Sequence, residues 1–267
     1  MRSRVKRVLA TAAIADRAPA EGATVLIYHR IGGGTDDELD TPTAQLAAQL
    51  DVLVEGGHEV VALDTALDRL ETGDPTPSVV LTFDDGFGDV ADHAHPLLAD
   101  RGLPYTVYLV AGLVGGAMRW EGSAATSQGA PALTWDQVEQ LVASGLCTLG
   151  NHTFDHSRPE DTGAEQLDRC SELIAAVVGD DYRPRHFAWT WGVEVPGLRG
   201  EIKTRFRSAA TGSLGRNLPN SDLLSLRRVP VRRTDPLAFF EAKLHGRLLP
   251  ERAYARLVAA GKALRRA

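Results

Sequence analysis

Short apolar runs alternate with segments of helical period along almost the whole chain, and this alternation limits the possible folds more than any other feature. Thr24-Val25-Leu26-Ile27-Tyr28-His29, Ser78-Val79-Val80-Leu81-Thr82-Phe83 and Tyr105-Thr106-Val107-Tyr108-Leu109-Val110 each read as a buried strand. Thr43 caps a helix to about residue 55 with Leu46, Leu50, Leu53 and Val54 on one face. Residues 64–70 and 90–100 are helical, and the second stretch ends at Gly102. Residues 111–132 read as a long loop, and Thr134 caps a helix to about residue 144. A strand at 146–149, a helix at 163–178, strands at 186–189, 208–211 and 226–231, and helices at 236–244 and 251–264 complete the series. Such alternation specifies an α/β chain with a parallel sheet, and about seven strand candidates suit a barrel better than a doubly wound sheet. A Gly-x-Gly-x-x-Gly fingerprint is absent, since Gly32-Gly33-Gly34 precedes no matching helix. No repeat or linker divides the chain. Residues 24–267 are read as a single domain behind a lead-in segment, residues 1–23.

A net charge of −6 argues against nucleic acid as the partner, because phosphate binding needs a basic face. Arg2, Arg4, Lys6 and Arg7 open the chain and Lys262, Arg265 and Arg266 close it, and both ends read as solvated tails. The apolar stretch at 8–15 is short, alanine-rich and ended by Asp16-Arg17. It reads as an amphipathic lead-in helix rather than an export signal, which gives a cytoplasmic expectation. No stretch approaches the ~20 apolar residues of a transmembrane segment. Cys147 and Cys170 match no metal spacing and read as reduced, buried thiols.

The chemistry sits in two places. Residues 81–86 read Leu-Thr-Phe-Asp-Asp-Gly, and residues 150–156 read Gly-Asn-His-Thr-Phe-Asp-His. Each follows a strand, and in parallel β/α folds the active site gathers at the C-terminal strand ends. Two imidazoles and one carboxylate can hold a divalent ion with open positions, and the second carboxylate can take a proton from water. His152 and His156 share a face if their segment is helical. A turn at Gly86 would swing both aspartates to the mouth in separate roles.

These residues resemble polysaccharide deacetylases of the NodB-homology type, carbohydrate esterase family 4. Thr82-Phe83-Asp84-Asp85-Gly86 is similar to the first motif and Asn151-His152-Thr153-Phe154-Asp155-His156 to the second. Tyr28-His29-Arg30, Leu133-Thr134-Trp135-Asp136 and His156-Ser157-Arg158-Pro159 agree at the flanks. Phe187-Ala188-Trp189-Thr190-Trp191-Gly192 resembles the third motif in a degenerate form, and Leu226-Arg227-Arg228-Val229 a late one. The resemblance spans roughly residues 24–250 and implies a distorted (β/α) barrel of about seven parallel strands. It also implies a divalent metal, zinc foremost, and an N-acetylated sugar or glycan as substrate. Carried over by position, Asp84 is the general base, and Asp85, His152 and His156 bind the metal. Asn151 and Thr153 support them, and the Trp191 main-chain N–H steadies the oxyanion.

The third motif lacks its arginine and proline, so Arg185 or Arg228 is expected to orient the base. His245, in the right part of the chain, stands for the histidine general acid. His29, Trp120 and Trp191 are the expected sugar contacts, and His93 and His95 read as solvated. The leading expectation is a metal-dependent carbohydrate N-deacetylase. Its rivals are an O-acetyl esterase on the same scaffold and a catalytically impaired, metal-containing glycan-binding protein.

Overall fold

Every side chain of Ser78–Asp85 is buried, as expected of a strand covered on both faces. In the computed structural model, which describes residues 2–12, 21–120 and 129–264, this strand is β2 of a closed barrel. The barrel runs in chain order through β1 (Ala23–Tyr28), β2, β3 (Tyr105–Leu109), β4 (Cys147–Asn151), β5 (His186–Ala188), β6 (Ser208–Leu214) and β7 (Leu226–Pro230). All neighbours pair in parallel, and β7 closes on β1 through Leu26↔Val229 and Ile27↔Pro230. The expected seven-stranded parallel (β/α) barrel is therefore the fold. Since every strand points the same way, all the loops that follow strands meet at one mouth.

Helices coat the barrel because each strand must be followed by a return crossing. They are α1 (Arg2–Ala12), α2 (Thr43–Glu55), α3 (Leu63–Thr72), α4 (His95–Ala99), α5 (Trp135–Ala143), α6 (Ala164–Val178), α7 (Arg199–Arg205), α8 (Leu237–Leu244) and α9 (Leu249–Leu264). In α2, Leu46, Leu50 and Leu53 are buried as the period predicts, while Val54 is 51% exposed, off the apolar face expected of it. Thr43 is the first helical residue rather than the cap, and Pro42 precedes it with no side-chain bond. Thr134 does cap α5, in a reciprocal box with Gln137. The helix expected over 90–100 is a π-helical turn, Val90–Ala94, followed by α4. There His95 is half-buried rather than solvated, with Nδ1 2.9 Å from the Tyr105 hydroxyl. Cys147 and Cys170 are free and buried, as expected.

The N-terminal segment is not a solvated tail. Helix α1 packs on α8 and α9, and the Lys6 side chain has no solvent exposure. Its Nζ lies 2.6 Å from Asp235 Oδ1, and Lys243 Nζ lies 2.6 Å from Asp235 Oδ2. Burial would raise the Asp235 carboxyl, but Lys243 and Lys6 together pull it below its ordinary value. Lys243 also reaches Glu251, 3.1 Å away, and Arg232 pairs with Glu251. Arg265 and Arg266, expected in the other tail, lie outside the described residues, as do residues 13–20 and 121–128. Among the described residues no helix is long and apolar enough to cross a membrane.

Candidate metal centre and active-site cavity

A cavity of about 280 Å³ opens at the mouth of the barrel. The expected turn begins one residue early: Asp85 itself is left-handed, at φ +75°, and Gly86 follows at φ +85°. This reversal turns both carboxylates into the cavity, each toward a different partner. Asp85 Oδ1 lies 3.3 Å from His152 Nε2 and 3.4 Å from His156 Nε2. Asp84 Oδ1 instead accepts a 2.7 Å bond from Arg228 Nη1.

The His152–His156 segment is an irregular loop rather than the helix that would put both rings on one face. Left-handed Thr153 (φ +67°) and His156 (φ +59°) fold it so that the two rings converge at 5.2 Å. Asn151 pins the loop to α6: its amide donates to Leu167 O (2.8 Å) and Ser171 Oγ (2.9 Å), and its Oδ1 accepts from Thr153 N (2.9 Å). Thr153 Oγ1 accepts from Ser157 N at 3.3 Å. Both residues thus brace the loop that carries His152 and His156.

The donor set fits a divalent ion. One carboxylate oxygen and two imidazole nitrogens lie within 4.8 Å of one another, all on buried residues. Two ligands about 2.0–2.1 Å from a shared tetrahedral ion stand about 3.3–3.4 Å apart, the spacing of Asp85 to each imidazole. His152 Nδ1 lies 2.8 Å from Ala188 O, which must accept a hydrogen bond from it. That bond leaves the Nε2 lone pair facing inward, as a ligand requires. Burial alone would raise the Asp85 carboxyl, but the neighbouring His152 and His156 hold it well below the usual range.

Asp84 is also buried and ionised. Burial pushes its carboxyl up, and Arg228, His152 and His29 pull it below its ordinary value. Arg228 is 1% exposed and donates from Nε to Thr211 O at 2.9 Å, so its guanidinium is fixed in place. Of the two arginines expected to orient the base, Arg228 is the one that reaches Asp84. Arg185 does not: it precedes β5, at the strand-start end, and pairs on the surface with Asp64 at 3.0 Å.

The expected general acid, His245, is also at the wrong end. It is exposed, caps the C-terminus of α8 and lies 5.4 Å, ring to ring, from His58 beside the start of β2. His29 lines the cavity instead, with Nδ1 buried and without a hydrogen-bond partner among the described residues. Burial lowers its pKa, against the opposing pull of Asp85 and Asp84.

Trp191 follows β5 at φ +59°, is 43% exposed and lines the cavity. Among the described residues its N–H donates to no backbone carbonyl. Thr190, where a proline was expected, donates from Oγ1 to Ser157 O at 2.8 Å and ties this turn to the His156 loop. Sequence reading missed that bond, whose only signal was the departure from the motif. Trp120 also lines the cavity, but one of its ring faces covers His156 at 4.3 Å.

Residues 71–199 match the family model described as polysaccharide deacetylase. Over these residues the chain is similar to the polysaccharide deacetylases. YxkH of Bacillus subtilis (strain 168), which its name places among the polysaccharide deacetylases, is 28% identical over 135 residues. That match covers 49% of this chain and only 42% of the relative. IcaB from Ammonifex degensii superposes with a TM-score of 0.72 at 28% identity, over 86% of this chain and 98% of its own. PplD, a Streptococcus pyogenes deacetylase solved with acetate, shares the fold at 18% identity, with a TM-score of 0.69 over 85% of this chain and 99% of its own. The motifs of polysaccharide deacetylases therefore mark a shared fold as well as a shared pattern, and both key motifs lie inside the matched residues.

Proposed function

We propose that this chain is a metal-dependent hydrolase that removes N-acetyl groups from N-acetylated sugar residues of a glycan. One observation carries the reading. The Asp85–His152–His156 cluster and the Asp84–Arg228 pair share one cavity, so an ion site and an ionised base face the same space. Two imidazoles and a carboxylate at tetrahedral spacing favour zinc. Such an ion supplies Lewis acidity, polarising an acyl carbonyl and acidifying water.

The chain's own groups do the rest. Asp84 accepts the proton of the attacking water, and Arg228 fixes its carboxylate for that task. The Trp191 N–H is free to hydrogen-bond the oxygen that gains charge. The exposed Trp191 ring offers an apolar face to a sugar. Protonation of the departing nitrogen falls to His29, which must first take up a proton because burial lowers its pKa. Asp84 serves as base, Asp85, His152 and His156 serve the ion, and Arg30 is paired with Asp89 at 2.9 Å. No other cavity-lining group among the described residues exchanges a proton near neutral pH.

The test is acetate release from N-acetylglucosamine oligomers and from a panel of O-acetyl esters, with and without zinc. Wild type should release acetate from the amides only when loaded. Asp84→Asn should lose activity by at least about a hundredfold while still binding zinc. His29→Gln should slow amide cleavage far more than cleavage of an ester with a good leaving group. Full activity in Asp84→Asn, or release without metal, would sink the mechanism. Turnover of esters alone would make the chain an esterase.

A further inference from the structure

We propose that Trp120 is a positioning residue for the metal centre, its indole fixing the His156 imidazole as a hydrogen bond fixes His152. The inference rests on reading the Asp85–His152–His156 cluster as an ion site.

The two histidines are held by different means. His152 is locked through Nδ1 to the Ala188 carbonyl at 2.8 Å. His156 Nδ1 is buried and makes no hydrogen bond among the described residues. Its backbone is left-handed and belongs to no helix or strand, so no ladder sets its direction. A ligand without an outer partner is free to turn about its Cβ–Cγ bond, and the metal loses the orientation such a partner gives.

Aromatic walls supply the missing restraint. The Trp120 ring lies 4.3 Å from the His156 ring at 29°, a stacked contact. Trp191 meets the same imidazole edgewise, at 5.3 Å and 68°, and His152 does so at 5.2 Å and 74°. A stacked face blocks rotation of the ring yet offers no acceptor, so it leaves Nε2 unengaged. Trp120 is itself seated: its ring stands 6.3 Å from Phe87 at 63°, in a cluster with Met118 and Ala132. Phe87 comes two residues after Asp85. The clamp on one ligand is thereby built onto the turn that presents another.

The test is a titration of chelator-stripped protein with Zn²⁺ and Co²⁺, reading the dissociation constant and the cobalt visible bands. Wild type is compared with Trp120→Ala, Trp120→Leu and Trp120→Phe, with apo-state melting as the check on folding. Loss of the ring face should weaken ion binding by roughly 10–100-fold in the Ala and Leu variants and alter the cobalt bands. Trp120→Phe, which keeps a stacking face, should recover most of that affinity. Leu restores bulk without a ring, so a folded Leu variant keeps the test valid where Ala disturbs packing. Wild-type affinity and bands in Trp120→Leu, or a Phe variant no better than Leu, would overturn the proposal. If wild type takes up no ion, all four proteins read alike and the metal-centre reading falls with it.

Discussion

Asp84 and Asp85 are neighbours with opposite electrostatic partners, and a single left-handed residue separates their roles. An extended chain would point them to opposite sides of the barrel wall. The φ of +75° at Asp85 instead keeps both within one cavity, Asp84 on the arginine side and Asp85 on the imidazole side. Non-glycine residues at positive φ are costly, about 1–3 kcal/mol each, and persist where the surroundings over-determine them. Four of the five among the described residues are Asp85, Thr153, His156 and Trp191, all at this site. Under the proposed mechanism, the Asp84–Arg228 pair would set an acid limit on activity. A base works only when deprotonated, and Arg228 helps keep this carboxyl below its ordinary value. Arg228→Met leaves burial to dominate, so the carboxyl rises. The acid limb of the kcat/KM profile of metal-loaded enzyme should move to higher pH, with a lower plateau. An unmoved limb would remove Arg228 from the proton step. The four central residues were legible in the sequence because each motif is continuous and ends a strand. Arg228 was legible only as one of two options, since it reaches Asp84 from 144 positions away.

At the scale of elements, the strands were readable wherever an apolar run was long and unbroken, as at Ser78–Asp85. The roles assigned to Arg185 and His245 failed for one geometric reason. In a β/α alternation, a residue just before a strand or at the end of a helix lies at the strand-start end, opposite the mouth. Arg185 precedes β5 and His245 ends α8, so the alternation itself excluded both. The turn after β5 was beyond sequence reading because it depends on a contact between distant backbones. Gly192, at φ +68°, lies so close to Gly212 that an added Cβ would stand 2.7 Å from the Gly212 Cα. Gly192→Ala should therefore cost roughly 1–3 kcal/mol in a urea melt. It should also lower kcat on acetylated oligomers, because the Trp191 N–H moves with the turn. A variant with wild-type stability and turnover would show that the backbone has room to spare.

For the whole molecule, the N-terminal end was misread because a charge run shows nothing of its counter-charges. Lys6 meets Asp235 across 229 positions of sequence, and neither carries a local sign of the other. Removing one partner of a buried pair commonly costs 3–5 kcal/mol. Lys243 still neutralises Asp235, so Lys6→Ala should sit at the low end, about 3 kcal/mol by denaturant titration near neutral pH. The sign with pH follows from the depressed Asp235 carboxyl. Its contribution is present above the unfolded value, about 4, and lost as pH falls through the lower folded one. The gap between wild type and variant should narrow in acid. A gap that stays constant would point to packing rather than charge.

The seam between β4 and β5 has a consequence for how the molecule holds its shape. These strands meet through one register pair, Asn151↔Phe187, where β4 and β2 each share longer ladders with β3. One residue further along the same seam, the His152 ring bonds the carbonyl of Ala188, the last residue of β5. A side chain thus supplies the rung that the backbone omits, like a rivet through the shortest stave of a cask. The imidazole that stitches the wall on one nitrogen presents the other to the cavity. An ion held there would be coupled to the tightness of the hoop through a single ring.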